Sequence, residues 1–286
     1  MNDRQKPTRR KPSAIYIILI ACFALVFHVC AVKLGSYWIN SNRAENEYDE
    51  LSSIKNSIQN SIDQSPGSSE GTSQGGDGQT PNPDSGETPA EKVILPQLAP
   101  IYQLNNDMVG WIHVPGTKID YPVMQTPETP DFYINHNFYK KPSDWGAIYA
   151  REQCDVFAPC DNVILYGHHM GDGSMFASLM NYGNKSFWEE NPTLSFDSLY
   201  EQREYQIWAV FKTSAVPGKG FSYHLYNNFK SESVFQEFVE QVQDLAFYDT
   251  GIVPEYGDKF VTLSTCEYTL EDGRFVVVAV RKANAE

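Results

Sequence analysis

From Lys259 to Arg281 the chain reads KFVTLSTCEYTLEDGRFVVVAVR. Two strand patterns, Lys259–Thr265 and Arg274–Arg281, flank a short segment that contains the turn signal Asp272-Gly273. β-Branched and aromatic residues fill both patterns, as is typical of strands that pack on a core. Cys266 directly follows the first pattern, where a side chain lies at the rim of a sheet. The segment therefore predicts a hairpin that carries a cysteine near its open end.

The chain before this hairpin has the same character, with short apolar stretches separated by turn signals. Further strands are predicted at Gly110–Val114, Lys118–Val123, Trp145–Tyr149, Asn162–Tyr166 and Glu204–Lys212. Helical spacing of apolar residues predicts one helix around Met175–Met180 and a stronger one over Val234–Leu245. Many short strands with few helices indicate a mainly β fold, a closed or nearly closed barrel with helices on its outside.

Charge and motif content exclude several classes of function. The 286 residues carry a formal net charge of −14, and the basic residues cluster mainly at the extreme N-terminus. Because a nucleic-acid site needs a basic surface to neutralise phosphates, we expect no nucleic-acid partner. The chain has no CxxC pair and no HExxH motif. We therefore expect no metal and no cofactor.

The N-terminus predicts a membrane anchor. Residues 1–13 are basic, and the apolar run that follows, Ala14–Val32, has about the length that crosses a bilayer. Positive charge before the run favours a cytoplasmic tail, with the chain beyond residue 40 outside the cell. A cleaved signal peptide is the alternative, but its apolar core is shorter and ends at a small-residue cleavage site. We interpret residues 14–39 as an uncleaved, single-pass transmembrane anchor.

Two connecting segments precede the folded domain. Residues 40–64 are polar with a narrow apolar stripe at helical spacing, which predicts a stalk helix or, less simply, a coiled coil with a partner. Residues 65–90 are rich in Gly, Ser, Pro and Thr and predict a disordered linker. The folded catalytic domain is expected over residues 91–286.

Three cysteines lie in the part of the chain that we expect outside the cell. Cys154 and Cys160 are close enough in sequence for a small disulfide, and the residues alone do not decide whether they pair. That leaves Cys266 as either a reactive thiol or a buried apolar residue. Its place at a strand end favours the reactive thiol.

A reactive thiol needs a proton partner and a group that stabilises negative charge. A hairpin centred near Leu270 would place Arg274 opposite Cys266. Arg281 is the competing arginine, but its odd offset from Arg274 puts it on the other face of the strand. His168 and His169 follow the predicted strand Asn162–Tyr166, and their context alone does not choose between them.

Several segments together resemble the sortases, the transpeptidases that attach proteins to Gram-positive cell walls. Thr262-Leu263-Ser264-Thr265-Cys266 is similar to the Thr-Leu-x-Thr-Cys signature of that family. The segment similar to its histidine motif is Tyr166–Met170 with Asp172–Phe176. The segment similar to its first hairpin is Gly110–Ile112 with Pro115–Val123, and the helix that marks class B corresponds to Val234–Leu245.

This resemblance implies an eight-stranded sortase-type barrel and a two-step acyl transfer. Cys266 would attack the threonine carbonyl of a C-terminal sorting signal and form a thioester. His168 would act as general acid and base, and Arg274 would stabilise the oxyanion and hold the substrate. Positions that contact the sorting peptide in class B relatives correspond to Ser264, Thr265 and Glu267.

The implied partners are surface proteins that bear a sorting signal and the amine of a peptidoglycan cross-bridge. The implied location is the cell membrane, with an extracellular catalytic domain. Three alternatives stay open: a pilin polymerase with a lysine acceptor, a cysteine hydrolase, and an interaction module on a degenerate sortase barrel.

Overall fold

The structure, a computed structural model, describes residues 14–64, 92–158 and 160–281. The predicted basic tail and disordered linker lie outside these residues. The chain divides into two compact units, one ending at Glu47 and one beginning at Tyr48. Helix α1 (Ala14–Asp63) supplies the described part of the first unit. Its portion from Ile18 contains a window of mean hydropathy 2.3, apolar enough to cross a membrane, and that window is exposed.

The described part of the second unit is built on eight strands that close into a barrel, as predicted. The strands are β1 (Met108–His113), β2 (Asp120–Met124), β3 (Ile148–Ala150), β4 (Asn162–Tyr166), β5 (Thr193–Ser198), β6 (Glu204–Ser214), β7 (Lys259–Glu267) and β8 (Gly273–Arg281). Their order around the barrel is β1-β2-β3-β4-β7-β8-β6-β5. Strand β5 was not among the strands read from the sequence, although its residues alternate between buried and partly exposed.

Among the described residues, three short or medium α-helices accompany the barrel: α2 (Ala99–Leu104), α3 (Lys185–Glu190) and α4 (Glu232–Leu245). Helix α4 confirms the predicted amphipathic helix and buries Phe235, Phe238 and Val242. Ser231 caps it by accepting a hydrogen bond from the backbone N–H of Val234.

The helix predicted around Met175–Met180 is wrong in its start and its type. The segment is a 3-10 helix over Ala177–Gly183, with Met175 outside it at a φ of +53°. Met175 instead forms a β-bridge with His169. The bridge and the positive φ account for a helix that starts after Met175.

The part of α1 that belongs to the second unit packs on the barrel. Tyr48 and Leu51 are buried, and the Tyr48 hydroxyl donates to the carbonyl of Gly146 over 2.8 Å. Asp120 on β2 accepts hydrogen bonds from this helix and from β1. Its carboxylate accepts from Ser52, from Lys55 Nζ at 2.8 Å and from Trp111 Nε1 at 2.6 Å. The part of the predicted stalk that belongs to the second unit, residues 48–63, is thus helical with an apolar face on the barrel.

One pairing decides where the functional side chains lie. Strands β4 and β7 are adjacent and parallel, with Tyr166 next to Ser264. Because parallel neighbours end at the same edge of a sheet, the residues that follow both strands meet there. His168 follows β4, and Cys266 lies at the end of β7.

Candidate active site

Cys266 and Arg274 occupy opposing positions on β7 and β8. The observed register confirms the pairing predicted from a hairpin centred near Leu270. Opposed residues in antiparallel strands have Cα atoms about 4.5–5.5 Å apart, so the thiol and the guanidinium start from neighbouring backbone positions. Arg274 also donates from one terminal nitrogen to the carbonyls of Gly273 (2.9 Å) and Asp272 (3.2 Å), which ties its side chain to the turn.

The two adjacent histidines have different surroundings. His168 lines the same cavity as Cys266, and its Nε2 atom lies 2.5 Å from the carbonyl oxygen of Ile134. His169 places Nδ1 3.0 Å from the backbone carbonyl of Cys266, and its ring lies against Tyr268. His168 is therefore the histidine on the cavity side, and His169 joins its loop to the backbone of Cys266.

The cavity has a volume of about 400 Å³. It brings together Cys266, His168 and Arg274, which the sequence assigned to one site. Residues from the loops and strands around it complete the wall. They are Asp131, Ile134, Ala147, Tyr149, Arg151, Glu152, Tyr166, Gly167, Ala215, Tyr223, His224, Ser264 and Thr265.

The three residues predicted to contact a peptide differ in position. Ser264 and Thr265 line the cavity, but their hydroxyls already have protein partners: Ser264 shares a 2.6 Å hydrogen bond with Tyr223, and Thr265 donates to the Gly167 carbonyl. Glu267 is absent from the described residues that line the cavity. Its carboxylate instead pairs with Lys212 at 2.8 Å.

The cavity also contains polar residues to which the sequence assigned no role. Arg151 donates to the backbone carbonyl of His224, and both side chains line the wall. Burial and the neighbouring Arg151 charge lower the pKa of His224, so this imidazole is neutral at pH 7. Burial raises the pKa of Tyr223, which keeps its hydroxyl protonated. Arg151 follows β3, whereas Tyr223 and His224 are adjacent in the 3-10 turn Tyr223–Leu225, so no local sequence pattern connects Arg151 with them.

Cys154 and Cys160 are both free thiols and both buried. Their sulfur atoms lie 3.6 Å and 3.3 Å from the carbonyl oxygen of Asn162. The two thiols thus share one acceptor, next to the loop that supplies Arg151 to the cavity.

The donor set of the site suits acyl transfer. A thiol, an imidazole and a guanidinium on one cavity supply a nucleophile, a proton carrier and fixed positive charge where an oxyanion develops. Across the described ranges, no cluster of three or more His, Cys, Asp or Glu side chains is placed to hold a metal ion.

Comparisons with known proteins identify the family. The model of the sortase domain family matches residues 112–282. Sortase B of Listeria monocytogenes is 32% identical over 196 residues, which are 68% of this chain and 77% of the relative. Sortase B of Staphylococcus aureus is 31% identical over 188 residues, covering 65% and 75%.

A solved Staphylococcus aureus sortase B–substrate complex has the same fold, with a TM-score of 0.69 at 25% identity. The superposition covers 86% of this chain and all of the other. The family match spans the cavity, the histidine loop and the cysteine hairpin, and the curated relatives are of one class. The chain therefore belongs to the sortase family of cysteine transpeptidases and, within that family, to class B.

Proposed function

We propose that this chain cleaves a C-terminal sorting signal after threonine and transfers the protein to an amino group of the cell wall. The observation that carries the proposal is that one cavity is lined by Cys266, His168 and Arg274. The solved substrate complex of a relative supports the same kind of ligand for this cavity.

In the first step the thiolate of Cys266 attacks the threonine carbonyl carbon. The C–N bond to the next residue breaks, and the departing amine takes a proton from protonated His168. The product is a thioester on Cys266. In the second step an incoming amine attacks the thioester and gives a proton to His168. Sulfur leaves as thiolate, and a new amide forms.

The surroundings of His168 support this role. A backbone carbonyl can only accept, so the contact with Ile134 places the proton of the neutral ring on Nε2. Nδ1 is then the nitrogen that exchanges a proton during the reaction. The Ile134 carbonyl also fixes the ring, as an orienting acceptor does in other nucleophile–histidine sites.

Arg274 is suited to stabilise the oxyanion of each tetrahedral intermediate. Its bonds to Gly273 and Asp272 come from one nitrogen. A guanidinium has five N–H donors in a fixed fork, so most of them stay available to a ligand. Because the guanidinium carries a fixed positive charge, the group is ready before negative charge develops.

The exposed apolar helix supports a membrane location. We place residues 1–13 in the cytoplasm, residues 14–39 in the membrane and the catalytic domain outside the cell. This arrangement follows from the basic residues that precede the apolar run. Ser264 and Thr265, which line the cavity, would contact the sorting peptide as part of its wall.

Mass spectrometry of the full-length chain in detergent, incubated with a panel of threonine-containing sorting peptides, tests this function. Wild type should gain an acyl adduct on Cys266 that resolves to a new amide when an amine is added. Cys266→Ala should gain none. A cross-bridge peptide and a lysine-bearing pilin domain, offered in parallel, distinguish wall anchoring from pilus assembly. An adduct that only hydrolyses with every amine, or no adduct with any peptide, would contradict the proposal.

A further inference from the structure

Glu267, the residue after the cysteine, has a nearly fully buried carboxylate with partners on both oxygens. Its side chain is 2% exposed. Oε1 pairs with Lys212 Nζ at 2.8 Å. Oε2 accepts from the backbone N–H groups of Thr269 (3.0 Å) and Leu270 (3.2 Å) and from the Thr269 hydroxyl (2.8 Å). The carboxylate therefore binds the turn that joins β7 to β8.

This carboxylate points away from the nucleophile. Adjacent residues in a strand face opposite sides of the sheet, so the side chains of Cys266 and Glu267 diverge. Glu267 also lies outside the set of described residues that line the cavity. A peptide held in the cavity would meet Cys266 without touching this carboxylate.

The absence of a side chain at Gly273 lets Glu267 reach across β8. Glu267 and Gly273 are opposed in the β7–β8 register, and Lys212 lies on β6, on the far side of β8. A Cβ atom on Gly273 would lie 2.5 Å from the Glu267 carbonyl oxygen and 3.0 Å from Oε2. A larger residue would therefore occupy the path to Lys212.

The ion pair thus spans three strands at the point where the reacting groups lie. Thr213, the neighbour of Lys212, is opposed to Arg274, and Cys266 is opposed to Arg274 from the other side. Both ends of the turn bear a functional side chain. Any shift of the turn changes the distance between the thiol and the guanidinium.

We propose that Glu267 is a positioning residue that, with Lys212, holds the 268–272 turn and thereby keeps Arg274 opposite Cys266. This Glu267–Lys212 clamp acts through the hairpin and not on the peptide. It replaces, for Glu267, the peptide-contacting role implied by the family resemblance. The roles of Cys266 and Arg274 that it serves rest on the proposed function.

The first test needs no substrate. Cys266 is alkylated in separate reactions by iodoacetate, which is anionic, and by iodoacetamide, which is neutral. The iodoacetate rate divided by the iodoacetamide rate measures positive charge beside the sulfur. Arg274→Met sets the lower limit of this ratio. Lys212→Met should lower it at least about threefold towards that limit, because the unpaired buried carboxylate reorganises the turn.

Two further variants separate the clamp from a general loss of packing. Lys212→Arg keeps the positive charge and should keep the wild-type ratio. The double variant Lys212→Met/Glu267→Gln removes the unpaired charge, so its ratio should recover relative to Lys212→Met. The matched control is Lys219→Met, because Lys219 pairs with Glu271 on the same turn but both side chains are largely exposed. It should leave the ratio unchanged.

The second test uses a sorting peptide that acylates wild type. In Lys212→Met the acylation rate constant should fall about tenfold while KM stays within about twofold, since the clamp does not contact the peptide.

Circular dichroism establishes that each variant is folded. If Lys212→Met is folded and keeps the wild-type alkylation ratio, the clamp is refuted. The single variant Glu267→Gln is measured beside it, and a KM increase in that variant but not in Lys212→Met would instead mean that Glu267 binds the peptide. Failure of every peptide on wild type would refute the proposed function, and the alkylation ratios would still decide on the clamp.

Discussion

The Nε2 atom of His168 lies 2.5 Å from the carbonyl oxygen of Ile134, a residue in the loop between β2 and β3. This contact joins the histidine loop to a 3-10 turn that is 34 residues away in sequence. It fixes the ring, and it selects the tautomer. In the proposed mechanism, a backbone carbonyl thus determines which nitrogen exchanges the proton.

We predict that neutral His168 is the Nε2–H tautomer. Heteronuclear NMR of protein labelled with ¹⁵N-histidine should show a protonated Nε2 and an unprotonated Nδ1 for the neutral ring of this residue. His168→Asn assigns the signal and should lower acylation by at least about 100-fold. The opposite tautomer would exclude the Ile134 carbonyl as the orienting acceptor.

Gly146→Ala should disturb the same acceptor. Gly146 has a φ of +59°, and an added Cβ would lie 2.6 Å and 2.7 Å from the carbonyl oxygens of Tyr133 and Ile134. We expect a loss of about 1–3 kcal/mol in the free energy of unfolding, together with slower acylation. Urea denaturation and single-turnover kinetics measure the two effects.

Gly218→Ala is the matched control for that substitution. Gly218 also has positive φ (+76°), but an added Cβ would meet nothing within 4 Å. Through backbone strain, Gly218→Ala should lower the free energy of unfolding by about 1–2 kcal/mol, with normal acylation. Equal activity losses in both variants would indicate that strain, and not the Ile134 contact, affects the site.

The two arginines of β8 should differ in importance. Arg274 lines the cavity, whereas Arg281 pairs with Glu201 and is opposed to Lys259 at the other end of the hairpin. Arg274→Met should lower the acylation rate at least about 100-fold, as loss of an oxyanion donor does. Arg281→Met should change it less than about twofold. Comparable losses would point to a role for charge on the whole strand.

Asp120 should make stability depend on pH in the acid range. Burial would raise its pKa, but hydrogen bonds from His113, Lys55 and Ser52, with the Lys55 charge, hold the pKa well below its usual range. A carboxylate whose folded pKa is lowered contributes stability that is fully present above its unfolded pKa of about 3.9. That contribution is lost progressively as the pH falls from this value through the folded pKa.

Asp120→Asn should therefore destabilise the protein at pH 7 by about 2 kcal/mol, because Lys55 loses its partner. The difference from wild type should shrink below about pH 4. Urea denaturation at pH 7 and pH 3 measures it, with the exposed Asp144→Asn as control. A difference that does not change with pH would show that shape, not charge, matters at this position.

Local sequence sufficed for the hairpin that carries the site. The turn signal at Asp272-Gly273 and the alternation on either side determine the register, so the opposition of Cys266 and Arg274 could be predicted. The strand Asn162–Tyr166 was also predicted with the observed bounds, because an uninterrupted apolar stretch ends at a glycine.

Other features depend on distant parts of the chain. Strand β5 contains Asp197 and three hydroxyl-bearing residues, and it becomes a strand through its pairing with β1 and β6. Arg151 and His224 meet in the cavity although 73 residues separate them. The role of Glu267 depends on Lys212, which is 55 residues away. No local pattern indicates these contacts.

The parallel pairing of β4 with β7 has a consequence for folding. The hydrogen bond from Thr265 to Gly167 spans 98 residues, and β7 lies between β4 and β8 in the closed barrel. Pairings of such sequence separation form slowly, because a long loop must close first. The thiol and the imidazole line one cavity only when β7 is paired with β4. The site is thus a property of the closed barrel and not of the cysteine hairpin alone.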